Sequence, residues 1–321
     1  MTQKVFLTGA SGFVGGAVLR RLCSERREVI AAVRKGGSKL PANVRTVAFE
    51  AFEEGNDWHG ALAECDVVIH SAARVHVMND TESDPLAAFR KVNVQGTLAL
   101  ARQAIAAGVK RFVFISSIKV NGEGTPKGKP YTAEDQPMPL DPYGVSKMEA
   151  EVELRKLAQQ SGLEVVIIRP VLVYGPGVKA NFLNMMRWLD RGVPLPFGAI
   201  DNRRSLVALD NLVDLIVTCI DHPAAANQTF LVSDGEDLST TALLRRMAAA
   251  LGKTARLLPV PAWALSAAAV SLGKRSLSQR LCGSLQVDIR KTRELLDWQP
   301  PVKVDAALLA AARHYQETDK K

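Results

Sequence analysis

Six short apolar segments alternate with stretches of helical period through the first half of this chain, and that alternation restricts its fold more than any other feature. The segments are residues 4–8, 28–34, 44–49, 66–70 (DVVIH), 111–117 (RFVFISS) and 164–169 (EVVIIR). The fourth is continuously apolar, as strands covered on both faces are. Between them, residues 12–26 place Val14, Ala17, Val18 and Leu22 at helical spacing, and further helices are expected over 85–107 and 141–161. Strands alternating with helices predict an α/β fold built on a doubly wound parallel sheet. Its crossovers are right-handed, and ligands belong at the carboxyl ends of its strands.

After Pro170 the rhythm changes. Gly175-Pro176-Gly177 interrupts the chain, a Met-rich helix ends near Gly192, and strands are expected at 205–209 and 229–232 around a helix at 210–220. Residues 239–321 read as mostly helical. The division predicted is a dinucleotide-type domain of residues 1–175 with about 205–233, and a smaller, mostly helical substrate lobe of 176–204 and 234–321.

Composition narrows the function. The four cysteines, Cys23, Cys65, Cys219 and Cys282, are scattered, which excludes a disulfide framework or a zinc site and fits a cytoplasmic protein. The opening MTQKVFLTGA is no signal peptide. The nearly uncharged run from Leu257 to Gly273 is broken by prolines, is too short to span a bilayer, and reads as buried or interfacial structure. The formal charge of +8 looks dispersed and aromatic residues are only 6%, so a nucleic-acid partner is not expected. An anionic small substrate is the sharper reading of that charge.

Gly9, Ser11, Gly12, Phe13, Val14 and Gly15 lie in a turn that follows the first strand and opens the first helix. Glycine permits the tight turn and close backbone approach to a pyrophosphate, and the helix amino end offers free N–H groups. Strand, turn and helix stand in the order that dinucleotide binding requires. At the end of the second strand, Arg34-Lys35 replace the acidic residue usual for an NAD ribose, favouring NADP(H) with NAD(H) as the alternative. Further on, Tyr143 and Lys147 stand four residues apart on a helix, hence on one face. An ammonium there would lower the phenol's pKa and make it a proton donor and acceptor near neutral pH.

These motifs together resemble the extended short-chain dehydrogenase/reductases, in the branch of nucleotide-sugar epimerases, dehydratases and reductases. The resemblance runs from Gly9-x-x-Gly12-x-x-Gly15 through His70-Ser-Ala-Ala73, Val92–Thr97, Ser116-Ser117, Tyr143–Lys147, Arg169-Pro170 and Val173–Pro176 to Leu296–Pro300. It implies a Rossmann-type domain, Tyr143 as general acid/base, Lys147 on the nicotinamide ribose and Ser117 on the reacting sugar oxygen. It also implies Asn93 supporting the lysine, His70, Ala72 and Ala73 lining the cofactor groove, and Arg169 and Pro170 flanking the nicotinamide. Asn181, Arg204 and Arg280 would meet the substrate and its diphosphate, although Ser205 stands where the family has an acidic residue. No metal is implied. A homodimer through the helices at 85–107 and 143–161 is.

In the dehydratases of this branch an Asp-Glu pair follows the catalytic hydroxyl; here Ile118-Lys119 follow Ser117. Water elimination is therefore not expected. Relatives that only bind the dinucleotide lose the tyrosine or the lysine, and both are present. The expected reaction is reduction of the C4 ketone of a UDP-4-keto-6-deoxy-hexosamine for bacterial surface polysaccharide. The alternative is a UDP-hexose or UDP-N-acetylhexosamine 4-epimerase that retains NAD.

Overall fold

The computed structural model describes residues 3–36, 40–41, 44–75, 84–271, 279 and 281–318. Seven parallel strands form the main sheet: β1 (Val5–Thr8), β2 (Val29–Arg34), β3 (Arg45–Phe49), β4 (Val67–His70), β5 (Arg111–Ile115), β6 (Glu164–Pro170) and β9 (Thr229–Val232). Their order is β3-β2-β1-β4-β5-β6-β9, so the direction of winding reverses between β1 and β4. Such a reversal opens a crevice at the strands' carboxyl ends.

The strands are apolar on both faces because both faces are covered. In β1, Val5 and Leu7 enter one core and Phe6 the other; β4, β5 and β6 split their residues the same way. On the first face pack α1 (Phe13–Ser24) and α7 (Leu209–Asp221). On the second lie α2 (His59–Leu62), α4 (Thr97–Ala106) and α5 (Pro142–Ser161). At about 25 cal/mol per Å² of apolar surface removed from water, these two layers are the fold's main stabilising term.

The helix expected at 85–107 forms as α3 (Pro85–Arg90), a π-helical turn at Lys91–Gly96, and α4. Gly96 lies where that turn crosses Phe52; a Cβ there would come within 2.7 Å of the phenyl ring. Beyond β6, β7 (Leu172–Tyr174), β8 (Arg204–Ala208) and β10 (Asp237–Leu238) make a separate three-stranded sheet in the order β10-β8-β7. The strand expected at 205–209 therefore belongs with the lobe's small sheet, whereas that at 229–232 extends the main one. Around the small sheet a third core joins α6 (Ala180–Asp190), α8 (Thr240–Ala250) and α11 (Val304–Thr318). Helix α9 (Ala262–Ser271) belongs to the lobe, whereas α10 (Arg290–Leu296), expected there from sequence, packs on β9 of the main sheet: Leu296 enters the first core and Thr292 Oγ1 donates to the Leu231 carbonyl at 2.7 Å.

The turn after β1 is packed to its limit. Gly9 has φ +75°, and a Cβ on it would lie 2.6 Å from Ser71 Oγ; a Cβ on Gly15 would overlap the Gly9 carbonyl oxygen. Gly15→Ala is expected to destabilise the protein by about 2 kcal/mol through overpacking, measured by urea unfolding. A change below about 0.5 kcal/mol would mean that the turn yields more than its packing implies.

Candidate active site

The glycine turn and the loop after β4 form one unit. Ser71 Oγ donates to the Thr8 carbonyl at 3.0 Å, Ala72 N donates to Thr8 Oγ1 at 3.2 Å, and Gly12 N donates to the Gly9 carbonyl at 2.8 Å. These bonds bring Gly9, Ser11, Gly12, Phe13, Val14 and Gly15 beside Ala72 and Ala73 at the crevice. The first turn of α1 carries no side-chain cap and no acidic residue. Its N–H groups and positive dipole end suit a diphosphate, so this cradle fits a dinucleotide. Arg34 ends β2 exposed, as read from sequence, but Lys35 is paired with Glu50 at 2.9 Å. One of the two cations counted toward a 2′-phosphate thus has a carboxylate already.

Tyr143 opens α5. Asp141 caps that helix, its Oδ1 accepting from Gly144 N at 2.7 Å, and Pro142 supplies a fixed φ in the first turn. Asp141 also pairs with Lys119, tying the 3₁₀ turn after β5 (Ile118–Val120) to the start of α5. Gly144 makes that approach possible, since a Cβ there would come within 2.9 Å of the Lys119 carbonyl oxygen. The result sets the Ser117 hydroxyl in hydrogen-bonding reach of the Tyr143 phenol.

One turn further, Lys147 is 1% exposed, and its ammonium lies 4.1 Å over the Phe114 ring. Burial lowers its pKa from 10.5 to about 7, opposed by Glu151. Tyr143 departs from expectation. Its pKa is pushed up to about 12, chiefly by burial and then by Asp141, with Ser117 opposing. The lysine does not lower it in the free chain for a simple reason: burial discharges Lys147 several pH units before the phenol titrates.

Glu151, one turn beyond Lys147, is the hub of a buried network that sequence reading missed. Its carboxylate accepts from Arg169 Nε at 2.9 Å and Nη2 at 2.6 Å, and from Ser116 Oγ at 2.5 Å. Arg169 Nη1 donates to Asn121 Oδ1 at 2.9 Å. The guanidinium expected beside the nicotinamide is therefore turned inward, where it joins β5, β6 and α5; Pro170 beside it is buried. The signal was present: a glutamate four residues after a helical lysine, and an arginine ending an apolar strand.

His70 is corrected in the same way. Its ring is 1% exposed, between Phe52 and Phe114, with Nδ1 2.7 Å from Thr8 Oγ1 and Nε2 2.9 Å from Thr97 Oγ1. Thr97 Oγ1 already donates to the Asn93 carbonyl, so it accepts from Nε2–H and Thr8 donates to Nδ1. The imidazole is a neutral packing group, its pKa held down by burial and by Lys147. Asn93 bonds both backbone groups of Arg74 and Ser146 Oγ, and Ser146 Oγ donates to the Tyr143 carbonyl. It braces α5 through Ser146 rather than by a bond to the lysine.

In the lobe, Asn181 is exposed in the first turn of α6. Arg204 opens β8, its Nη1 donating to the Gly283 carbonyl at 3.1 Å. Ser205 reaches a carboxylate by another route, donating to Asp237 Oδ1 at 2.5 Å. Arg280 lies outside the described residues.

A pH dependence follows from Lys147. Unfolded chains hold its proton to near pH 10.5, whereas the folded chain releases it near 7. Between those values the unfolded state binds more protons, so stability rises with pH. The melting temperature is expected to climb from about pH 7 to about pH 8.5, and Lys147→Met to flatten the climb. An undiminished climb in the variant would remove Lys147 as its source.

Comparison with known proteins agrees with this geometry. The family model described as NAD dependent epimerase/dehydratase family matches residues 5–233. The chain is 49% identical to a UDP-glucose 4-epimerase of Vibrio cholerae over 325 residues, covering 100% of this chain and 98% of the relative. A GDP-6-deoxy-D-mannose reductase of Pseudomonas aeruginosa is 28% identical over 77% of this chain and 80% of its own. Among solved structures, a UDP-glucose 4-epimerase of Thermotoga maritima with UDP-glucose superposes with a TM-score of 0.77 at 23% identity, covering 98% of this chain and 99% of that one. With the glycine cradle and the Ser117–Tyr143–Lys147 cluster on one sheet edge, the chain belongs to the NAD-dependent epimerase/dehydratase family.

Proposed function

We propose that the protein is a UDP-hexose 4-epimerase, inverting the C4 hydroxyl of a UDP-sugar by oxidation and re-reduction at the same carbon. The observation that carries this reading is the end-to-end 49% identity to a UDP-glucose 4-epimerase. The reductase expected from sequence rested on Arg34-Lys35, and the end-to-end identity to an epimerase outweighs that pair. The reductase relative is also more distant and matches less of the chain.

A bound nicotinamide coenzyme supplies the acceptor and donor of the C4 hydride. The chain's own groups manage the proton. As an anion, the Tyr143 oxygen takes the proton of the C4 hydroxyl while the carbon loses hydride; as a phenol, it returns that proton when hydride comes back to the opposite face. No proton is gained or lost over the cycle. Ser117 bonds the same sugar oxygen and orients it. In the free chain the phenol keeps its proton and burial discharges the lysine. The anion therefore forms only once the cationic coenzyme and the ammonium of Lys147, which Glu151 favours, act on it together. Lys147 would also hold ribose hydroxyls. Glu123 and Asp141, both downstream of Ser117, pair with Lys119. That arrangement disfavours elimination of water. Arg204 faces a diphosphate with a planar donor fork.

A retained NAD(H) suits this cycle, with Arg34 leaving room for NADP(H). Arg34→Ala is expected to weaken NADP⁺ at least about tenfold, the effect of one charge-assisted contact, and to leave NAD⁺ unchanged. Equal losses for both coenzymes would show that Arg34 does not read the 2′ position.

The purified protein is expected to convert UDP-glucose to UDP-galactose without added coenzyme, followed by proton NMR of the anomeric signals. UDP-N-acetylglucosamine is assayed in parallel. Tyr143→Phe should lower turnover by about 10²-fold or more, while coenzyme binding and melting temperature hold. Consumption of NADPH in proportion to a UDP-4-keto-6-deoxy sugar, without C4 inversion, would overturn the epimerase in favour of the reductase.

A further inference from the structure

Helix α9 lies outside everything the active site uses. It contains no charged residue and buries no side chain. Trp263, Ala267 and Val270, spaced i, i+4 and i+7, are exposed together, Trp263 by 75% and Val270 by 49%. Leu258, just before the helix, is 51% exposed. A helical stripe of this kind ordinarily faces a core; here it faces outward.

Its attachment to the lobe is tight. The chain at 257–261 bridges Leu195 and Ala199 in parallel register, with Leu195 N donating to the Arg256 carbonyl at 2.9 Å and Gly198 N to the Leu258 carbonyl at 2.8 Å. Gly198 has no room for a Cβ, which would lie 2.8 Å from the Leu257 carbonyl oxygen. The base of the segment is therefore fixed while its apolar side stays open.

Charge supplies the second observation. Residues 238–287 hold seven lysines and arginines and no aspartate or glutamate, in a chain of formal charge +8. Along the chain this run flanks α9; within it Arg246 pairs with Glu236 and Asp305, and Lys253 lies 3.8 Å from Asp190. Lys253 and Arg256 are exposed ahead of it, and Lys274-Arg275 follow it in sequence.

We propose that α9 docks the substrate lobe onto an anionic phospholipid surface. Trp263, Val270 and Leu258 enter the headgroup layer, and Arg256 and the basic residues that follow the helix in sequence meet lipid phosphates. An indole with one apolar and one polar edge favours that layer, and basic residues near it add electrostatic attraction. The helix lies on the bilayer: among the described residues no helix is long and apolar enough to cross one. A second copy fits less well, because a two-fold interface would set this basic patch against itself.

The test uses the full chain with vesicles of phosphatidylglycerol and phosphatidylethanolamine, and with phosphatidylcholine vesicles alone. Co-sedimentation with the anionic vesicles is expected, with a blue shift of tryptophan emission. Binding should fall at least tenfold on phosphatidylcholine, or in about 1 M salt where charges are screened within about 3 Å. The double variant Trp263→Ser, Val270→Ser should bind at least tenfold less at an unchanged melting temperature. Trp263→Phe, which keeps the apolar volume, should bind like the parent without the emission shift. No co-sedimentation with anionic vesicles, or undiminished binding by the double serine variant, would overturn the proposal. So would a dimer in sedimentation equilibrium that the double variant abolishes, since a second copy would then cover the helix.

Discussion

The ion pair between Glu151 and Arg169 holds the catalytic edge together. Both groups are buried, and each would be costly alone; removing one partner of such a pair destabilises by about 3–5 kcal/mol. Glu151 belongs to α5, Arg169 to β6, Ser116 to the end of β5 and Asn121 to the turn beyond it. Four segments that the chain delivers separately are thereby fixed at one point. Because Glu151 lies one turn from Lys147 and two from Tyr143, fixing α5 there also sets how the reactive side chains meet the sheet.

The same burial governs the site's chemistry. It favours the uncharged forms of both Tyr143 and Lys147, in opposite directions on the pH scale. Neighbours then adjust the two groups: Glu151 favours the ammonium, Ser117 the phenolate, and Asp141 opposes the phenolate. Asp141 is retained at that cost because it caps α5 and pairs with Lys119. Holding the helix start in place and tuning the phenol pull against each other at one residue.

What the sequence made legible was whatever depends on period and order. The six strands, the glycine turn and the Tyr143–Lys147 spacing follow from local pattern, and they appear within a residue or two of expectation. What it hid depends on side-chain direction. His70 and Arg169 end strands at the functional edge, and a linear reading aims them at the groove. In the folded chain, hydroxyls from Thr8 and Thr97 take the imidazole, and Glu151 takes the guanidinium. The pairing of β8 with β7 and β10 was hidden for a related reason, since a five-residue apolar strand does not specify which sheet it joins. Composition alone could not say whether residues 257–273 face inward or outward.

The π-helical turn at Lys91–Gly96 carries an implication for how this helix tolerates length change. A π turn accommodates one residue more than the regular helix would. Deleting any one residue there would let the hydrogen-bond ladder close in α form with no break in the backbone. Because the wider turn already absorbs the extra residue, the halves on either side would keep the faces they present. Asn93 lies within the turn, so a deletion that removed it or shifted it along the turn would release Arg74 and Ser146. The insertion works as a vernier between two otherwise rigid cylinders, and the bracing of the tyrosine's helix depends on its setting.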